Sequence, residues 1–353
     1  MPPTTKSNDY ANLLEKFGPK TLKERRYRWL VTGAAGFIGS HLAEALLSAN
    51  QTVVGLDDLS AGYRHNVDLA LAGAGEGARA RFRLIEGSIT DPDLCRATCE
   101  GVDFVLHQAA LASVPLSMER PLEFSSVNTE GFVNVLEGAR AQGVRRVVYA
   151  SSSAVYGDDP QMPKTEAMPG LSLSPYALTK AVNELYAELW TRVYGLETVG
   201  LRYFNVFGPR QDPNGAYAAV IPRWSDAVQT GKAVVLYGDG SATRDFCSVR
   251  NVVLANLLAA TTDSPEAPGH VFNIACGAKT TLGELLDKIR RIFSRGADIP
   301  VRHEPTRPGD IPHSLASVER AETVLGYVPR VSLEEGLWEM SADPDHPRHP
   351  ASS

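Results

Sequence analysis

A glycine-rich turn between a short apolar run and a helix is the feature that most narrows the folds open to this chain. The stretch Thr32-Gly33-Ala34-Ala35-Gly36-Phe37-Ile38-Gly39 follows the apolar Trp29-Leu30-Val31, and residues 37–48 carry the spacing of an amphipathic helix. A strand, a bare turn and a helix start together cradle an anion. Glycine lets the backbone approach a pyrophosphate, and the first helical N–H groups point at it. The spacing is G-x-x-G-x-x-G, not the usual G-x-G-x-x-G. The next apolar run, Val53-Val54-Gly55-Leu56, ends in Asp57, about 20 residues past the turn, where a carboxylate can accept both ribose hydroxyls of a dinucleotide. An acid there favours NAD, because it repels the 2′-phosphate of NADP.

Strand and helix signals then alternate. Residues 53–56, 83–85, 102–107, 146–150 and 198–201 read as strands, and residues 127–141 and 175–194 as helices, the second stopped by Gly195. This alternation predicts an α/β fold, a Rossmann-type doubly wound parallel sheet. Residues 69–80, rich in Ala and Gly, read as a flexible connection. After Arg202 the pattern loosens. Short helices at 219–229, 249–260 and 281–293 and a strand at 271–274 predict a smaller lobe over the carboxyl ends of the strands, where such sheets bind ligands. The expected organisation is an arm at 1–28, a dinucleotide-binding domain at 29–204 with a return segment near 246–275, a substrate-binding lobe from 205–245 and 276–340, and a disordered tail at 341–353.

With 353 residues, 43% hydrophobic and 22% charged, the chain can bury a substantial core. A net charge of −6 argues against nucleic acid or an anionic membrane as partner, and no apolar run reaches membrane-span length. Residues 1–28 are polar and lack a signal-peptide core. The four cysteines show no zinc spacing. Cys95 and Cys99 share a helix face, and Cys247 and Cys276 lie near strand ends. Buried thiols in a reduced, cytoplasmic protein fit best, with no metal site.

The chemistry concentrates in two further motifs. In Ser174-Pro175-Tyr176-Ala177-Leu178-Thr179-Lys180, Ser174 suits a helix N-cap and Pro175 the first helical position, so Tyr176 and Lys180 lie one turn apart on one face. A free phenol has a pKa near 10, too high for a base at neutral pH. A nearby ammonium is expected to lower it, and a cationic nicotinamide to lower it further. Ser151-Ser152-Ser153-Ala154-Val155-Tyr156-Gly157 follows a buried strand, where a hydroxyl can bond a substrate hydroxyl and share its proton with the tyrosine.

The glycine turn, the serine run and the Tyr/Lys helix, in this order, make the chain resemble the extended short-chain dehydrogenases/reductases, in the nucleotide-sugar epimerase branch. The resemblance runs from about Trp29 to Trp338. It is nearest to UDP-N-acetylglucosamine 4-epimerases of bacterial surface-polysaccharide pathways. Leu106-His107-Gln108-Ala109-Ala110, Gly200-Leu201-Arg202-Tyr203-Phe204-Asn205, Gln211-Asp212-Pro213-Asn214-Gly215-Ala216-Tyr217 and Arg244-Asp245-Phe246 carry it.

This resemblance implies Tyr176 as base, Lys180 as its partner and ribose anchor, and Ser152, with Ser153 next to it, as the hydroxyl that aligns the sugar. It implies a cofactor site of Gly33, Gly36, Phe37, Ile38, Gly39, Asp57, Asp58, Ser60, Gly62, Ser88, Ile89, Gln108, Ala109, Ala110, Asn128, Tyr203 and Val206 together with Tyr176 and Lys180. For the UDP-sugar it implies Ala112, Ser113, Asn205, Gln211, Ala219, Val220, Tyr237, Arg244, Arg307, Asp310 and Ser314. Arg244 and Arg307 would grip the diphosphate. Ser88 stands where relatives often carry an Asp that bonds adenine, which implies looser NAD.

Sugar dehydratases of this family carry Asp-Glu at the positions of Ser153 and Ala154, and decarboxylases carry Glu in that region. Their absence implies C4 epimerisation through a 4-keto sugar. Ser314 lies where relatives restricted to UDP-glucose tend to carry a bulky aromatic, so a serine implies room for an N-acetyl group and UDP-GlcNAc/UDP-GalNAc as substrates. A uronic UDP-sugar or UDP-glucose is the alternative, and a non-catalytic NAD-binding regulator the reading from another class. The resemblance also implies a homodimer, through a bundle of the helices at 127–141 and 175–194, with Leu185, Leu189 and Trp190 as candidates.

Overall fold

The computed structural model describes residues 10–168, 170–213, 218–294, 298–306 and 312–342. Seven strands make one sheet: β1 (Arg28–Thr32), β2 (Thr52–Asp57), β3 (Phe82–Glu86), β4 (Phe104–His107), β5 (Arg146–Ser152), β6 (Glu197–Tyr203) and β7 (His270–Ile274). Their spatial order is β7-β6-β5-β4-β1-β2-β3, and every pairing is parallel. The order reverses between β1 and β4, which opens a crevice at their carboxyl ends.

Alternation of side chains across the pleat explains the unbroken apolar runs. Trp29, Val31, Val53, Phe104, Leu106 and Val148 face one core, beneath helices α1 (Tyr10–Phe17) and α2 (Phe37–Ser48). Leu30, Val54, Leu56, Val105, Val147 and Tyr149 face the other, beneath α3 (Gly131–Ala141) and α4 (Pro175–Leu189). A third core gathers Phe207, Trp224, Leu236, Leu285 and Met340 under the substrate-side lobe.

Four details differ from the sequence expectation. Helix α2 is not half-exposed: Gly39 through Leu47 are all buried, including His41 and Glu44. Its outer side is covered by α1, the helix Arg64–Gly73 and α5 (Val249–Thr261). The supposed flexible connection at 69–80 is therefore helical as far as Gly73. Within the span assigned to the lobe, Ala321, Leu325 and Tyr327 instead pack in the first sheet core. The last helix runs Leu333–Ala342, so Ser341 and Ala342 belong to it, and the rest of the expected tail lies outside the described residues. Among the described residues, no helix is long and apolar enough to cross a membrane.

Candidate active site

A cleft of about 790 Å³ runs along the carboxyl ends of the strands. At one end stands the glycine turn. Gly33 follows β1 with a φ of +68°, a left-handed value that L side chains rarely adopt. A Cβ at Gly39 would sit 1.9 Å from the Gly33 carbonyl oxygen, so only glycine lets α2 start this close to the turn. Gly33, Gly36, Phe37, Ile38 and Gly39 line the cleft, with bare backbone at the helix N-terminus. Asp57 closes β2 and accepts from the N–H groups of Ala35 (2.9 Å) and Leu59 (2.8 Å). Burial pushes its carboxyl above the ordinary range. Asp58 (whose carboxylate accepts from Ser60), Ser60 and Gly62 complete this end. The turn, the helix start and the acid fit the pyrophosphate and a ribose of NAD.

Gln108, Ala109 and Ala110 follow β4 and form the opposite wall of the crevice. Gln108 is fixed by a network that sequence reasoning missed. Tyr203 donates from its hydroxyl to Gln108 Oε1 (3.1 Å), Gln108 Nε2 to Asn256 Oδ1 (3.1 Å), and Asn256 Nδ2 to the Tyr203 hydroxyl (2.9 Å). Asn256 sits on α5 among apolar residues, and only its burial reveals a role.

The candidate reacting groups meet at the cleft. Tyr176 and Lys180 rise from the first turn and a half of α4, which Ser174 caps by accepting from Ala177 N (3.1 Å). The Lys180 ammonium donates to the Ala150 carbonyl on β5 (2.9 Å) and lies 5.9 Å from the centre of the Tyr176 ring. Burial pulls Lys180 down to about 8. Ser152, at the end of β5, stands beside Tyr176 on the cleft wall and works against the burial of the phenol. Both Ser152 and Ser153 line the cleft beside it. The expected lowering of Tyr176 is not what the protein alone produces. Burial raises the phenol, and Ser152 is the group that opposes it.

Three of the expected site residues stand outside the lining of the cleft. Asn128 is buried and does not line the cleft. Its amide clamps Leu111, accepting from the N–H (2.8 Å) and donating to the carbonyl (3.0 Å), and it also donates to Thr179 Oγ1 (3.2 Å). Ser113 caps a short helix by accepting from Leu116 N (3.2 Å), and it is the neighbouring Ala112 that lines the cleft. Ser88 accepts from Thr90 N–H and hydroxyl (3.3 and 3.0 Å), while Gly87 and Ile89 line the cleft on either side of it.

Below the serine run lies a second network without an assigned role from sequence. Arg202 donates to both carboxylate oxygens of Glu184 (2.9 and 2.7 Å) and to the Tyr156 hydroxyl (2.9 Å), which donates to Asn273 Oδ1 (2.6 Å). Ser151 donates to the same Glu184.

On the substrate side, Asn205, Val206, Gln211, Ala219, Arg244 and Ser314 line the main cleft. Asn205, Val206, Ala219 and Arg244 also border an adjoining cavity of about 400 Å³, closed by Val220, Tyr237, Trp224 and Phe246. Arg244 donates to the Thr243 carbonyl (2.9 Å). Arg307 and Asp310 lie outside the described residues. Lys164, not singled out in the sequence, is buried, lines the cleft and pairs with Asp159 at 3.6 Å.

A dinucleotide turn facing a Tyr/Lys/Ser cluster defines a nicotinamide-dependent enzyme of the doubly wound class. Residues 29–275 match the NAD dependent epimerase/dehydratase family, and the chain belongs to it. NAD is its cofactor. The chain is 39% identical over 312 residues to a UDP-glucose 4-epimerase of Mycolicibacterium smegmatis, covering 88% of this chain and 96% of the relative. The structure of a UDP-N-acetylglucosamine 4-epimerase from Methanobrevibacter ruminantium M1, in complex with UDP-N-acetylmuramic acid, matches with a TM-score of 0.82 and 38% identity, over 89% of this chain and 97% of that one. A Thermus thermophilus UDP-glucose 4-epimerase in complex with NAD matches with a TM-score of 0.78 and 35% identity, over 90% of this chain and 98% of that one.

Proposed function

We propose that this protein is a UDP-sugar 4-epimerase and that it interconverts UDP-N-acetylhexosamines, UDP-GlcNAc and UDP-GalNAc, the sugars of the surface-polysaccharide setting that the sequence resembles. The observation that carries the reading is that Tyr176, Lys180 and Ser152 gather on one cleft wall, between the glycine turn and the second cavity. NAD, when bound, supplies a reversible two-electron acceptor and a positive charge.

The chain's own groups do the rest. Tyr176 takes the proton of the C4 hydroxyl at its phenolic oxygen and later returns it. Ser152 orients that hydroxyl and stabilises the phenolate. Lys180, protonated at neutral pH with a pKa of about 8, is held by the Ala150 carbonyl at the ribose side. Ala219, Val220 and Tyr237 hold the uridine, and Asn205, Arg244 and Arg307 the diphosphate, which suits arginine's fork of donors. The sugar itself is met by small residues, Ala112, Ser152, Ser153 and Ser314, so a planar intermediate can present either face while the nucleotide stays fixed. Such a wall leaves room for an acetamido group.

One observation favours a second reading. Lys164 is a buried cation on the cleft wall, suited to a sugar with a C6 carboxylate. We also infer a homodimer through α3 and α4. Leu178 and Leu185, one heptad apart on α4, are 54% and 67% exposed, whereas Trp190 is buried and belongs to the internal core. A solution mass of one chain would refute this.

Incubation with UDP-GlcNAc, UDP-glucose and their uronic counterparts, without added cofactor, tests the activity. The expected result is a C4-epimer mixture, fastest from the acetamido sugar. Release of a keto sugar, or no epimer from any of them, would refute the reading.

A further inference from the structure

The polar side of helix α2 points neither at solvent nor at the cleft. His41 is wholly buried between α1 and the turn at residues 205–213. Its Nε2 lies 2.9 Å from the Pro209 carbonyl and its Nδ1 2.6 Å from Arg210 Nη2 and 2.8 Å from the Tyr10 hydroxyl. A carbonyl only accepts and a guanidinium only donates. The ring must therefore carry its proton on Nε2 and accept at Nδ1, neutral and with one tautomer enforced. Burial and Arg210 both push its pKa well below the ordinary value.

Arg210 in turn pairs with the buried Glu44, one helical turn along α2 from His41. Its backbone adopts φ +64°, a left-handed conformation that is unfavourable for a non-glycine residue. Side-chain burial against His41 and Glu44 is what holds the turn there. The consequence reaches the site. Asn205, Val206 and Gln211, on this turn, line the cleft, and Gln211 Nε2 closes it by donating to the Val206 carbonyl (3.1 Å). Phe37, of the glycine motif, packs edge-on against His41 at 5.8 Å. On the far side, the Tyr10 ring is covered by Arg250, which pairs with Glu339 at 2.6 Å.

We propose that His41 is a positioning residue for nucleotide-sugar binding and that Tyr10 of the N-terminal helix locks it, so that a segment outside the matched span 29–275 sets affinity at a site it does not touch. This rests on the UDP-sugar reading above.

The test is calorimetric binding of UDP to the NAD-loaded protein, with bound NAD measured after gel filtration and melting temperature recorded for each variant. His41→Phe, which keeps an aromatic ring and loses all three polar contacts, is expected to weaken UDP binding about tenfold or more. His41→Gln, whose amide can donate to Pro209 and accept from Arg210, should restore most of that. Tyr10→Phe is expected to weaken UDP binding about threefold and serves if His41→Phe fails to fold. In turnover these losses should fall on KM, with kcat nearly unchanged and NAD content equal to wild type. UDP affinity within twofold of wild type in Tyr10→Phe and His41→Gln, at whatever melting temperature, with no deficit in His41→Phe, would overturn the proposal. Parallel loss of NAD and UDP would overturn it too, by showing general loosening. A wild-type protein that does not bind UDP refutes the nucleotide-sugar reading and this inference with it, whereas wild-type binding with unaltered variants refutes the inference alone.

Discussion

Ser152→Ala isolates the one side chain that works against the burial of the base. In the proposed mechanism Tyr176 acts as a phenolate, so kcat/KM should rise with pH on the limb set by its pKa. Burial moves that limb up and Ser152 moves it down. A hydrogen bond from a hydroxyl is worth about 1 kcal/mol net, and more when the acceptor is charged. At 1.36 kcal/mol per unit, its loss moves the limb upward by about 0.7 to 1 pH unit. Below the limb, rate falls in proportion to phenolate, so this effect alone costs about fivefold to tenfold. Ser152 also orients the sugar hydroxyl, and removing a donor aimed at developing charge costs roughly a further hundredfold at any pH. The two effects separate in a pH–rate profile carried past the limb onto its plateau: one displaces the limb, the other lowers the plateau. The mutation also removes the acceptor for Ala154 N (3.2 Å), a stability loss of about 1 kcal/mol that a urea titration corrects for. Ser152→Thr should restore the limb. A profile of Ser152→Ala lowered throughout but with its limb in place would show that Ser152 does not tune Tyr176, and the acid–base scheme would need another partner.

Tyr176→Phe should lower kcat by about a thousandfold or more while NAD stays bound; a variant with near-wild-type turnover would remove the phenol from the chemistry. Ser314→Tyr should abolish turnover of UDP-GlcNAc and spare UDP-glucose, and unchanged acetamido-sugar kinetics would take the gate away from this wall. Glu184→Gln leaves Arg202 buried without its counter-charge (side chains 5% and 14% exposed) and should cost about 3 kcal/mol in urea denaturation; a loss under about 1 kcal/mol would mean the pair is hydrated. His107, neutral and pulled down to about 3 by burial and Lys180, takes a proton below 6.5 only in the unfolded chain. Stability should therefore decline as pH drops from 6.5 toward 3, by roughly 5 kcal/mol from this residue, and His107→Gln should flatten the slope; an unchanged slope refutes the assignment.

The parts legible in the sequence are those whose signal is local. Gly33 and Gly39 declare themselves because the turn geometry admits no side chain, and Asp57 because it ends a strand of fixed spacing from them. Ser174, Pro175, Tyr176 and Lys180 are readable for the same reason: a cap, a first-turn proline and a one-turn interval are all written within seven residues. The strands show as apolar runs because each is buried on both faces.

What stayed hidden is polar, buried and distant in sequence. Gln108 meets Asn256 across 148 positions and Arg210 meets His41 across 169. Gln108 is legible as a cofactor-site residue, but Asn256, Arg210 and His41, read in place, are ordinary polar positions on a helix or a turn. Helix α2 shows why. Its His41 and Glu44 make it look half-solvated, and only the arrival of α1 on one side and the 205–213 turn on the other converts that polar stripe into an interior. A charge that costs little on a surface must there be matched bond for bond. The Tyr176 pKa has the same origin. Spacing places Lys180 one turn away, but spacing does not reveal how deeply the phenol is buried, and burial and Ser152 are what set it. The proposed catalytic residues of this site are thus written locally, while the groups that tune them are set by packing, and substitutions in the second set should shift pH dependence and affinity where those in the first should abolish turnover.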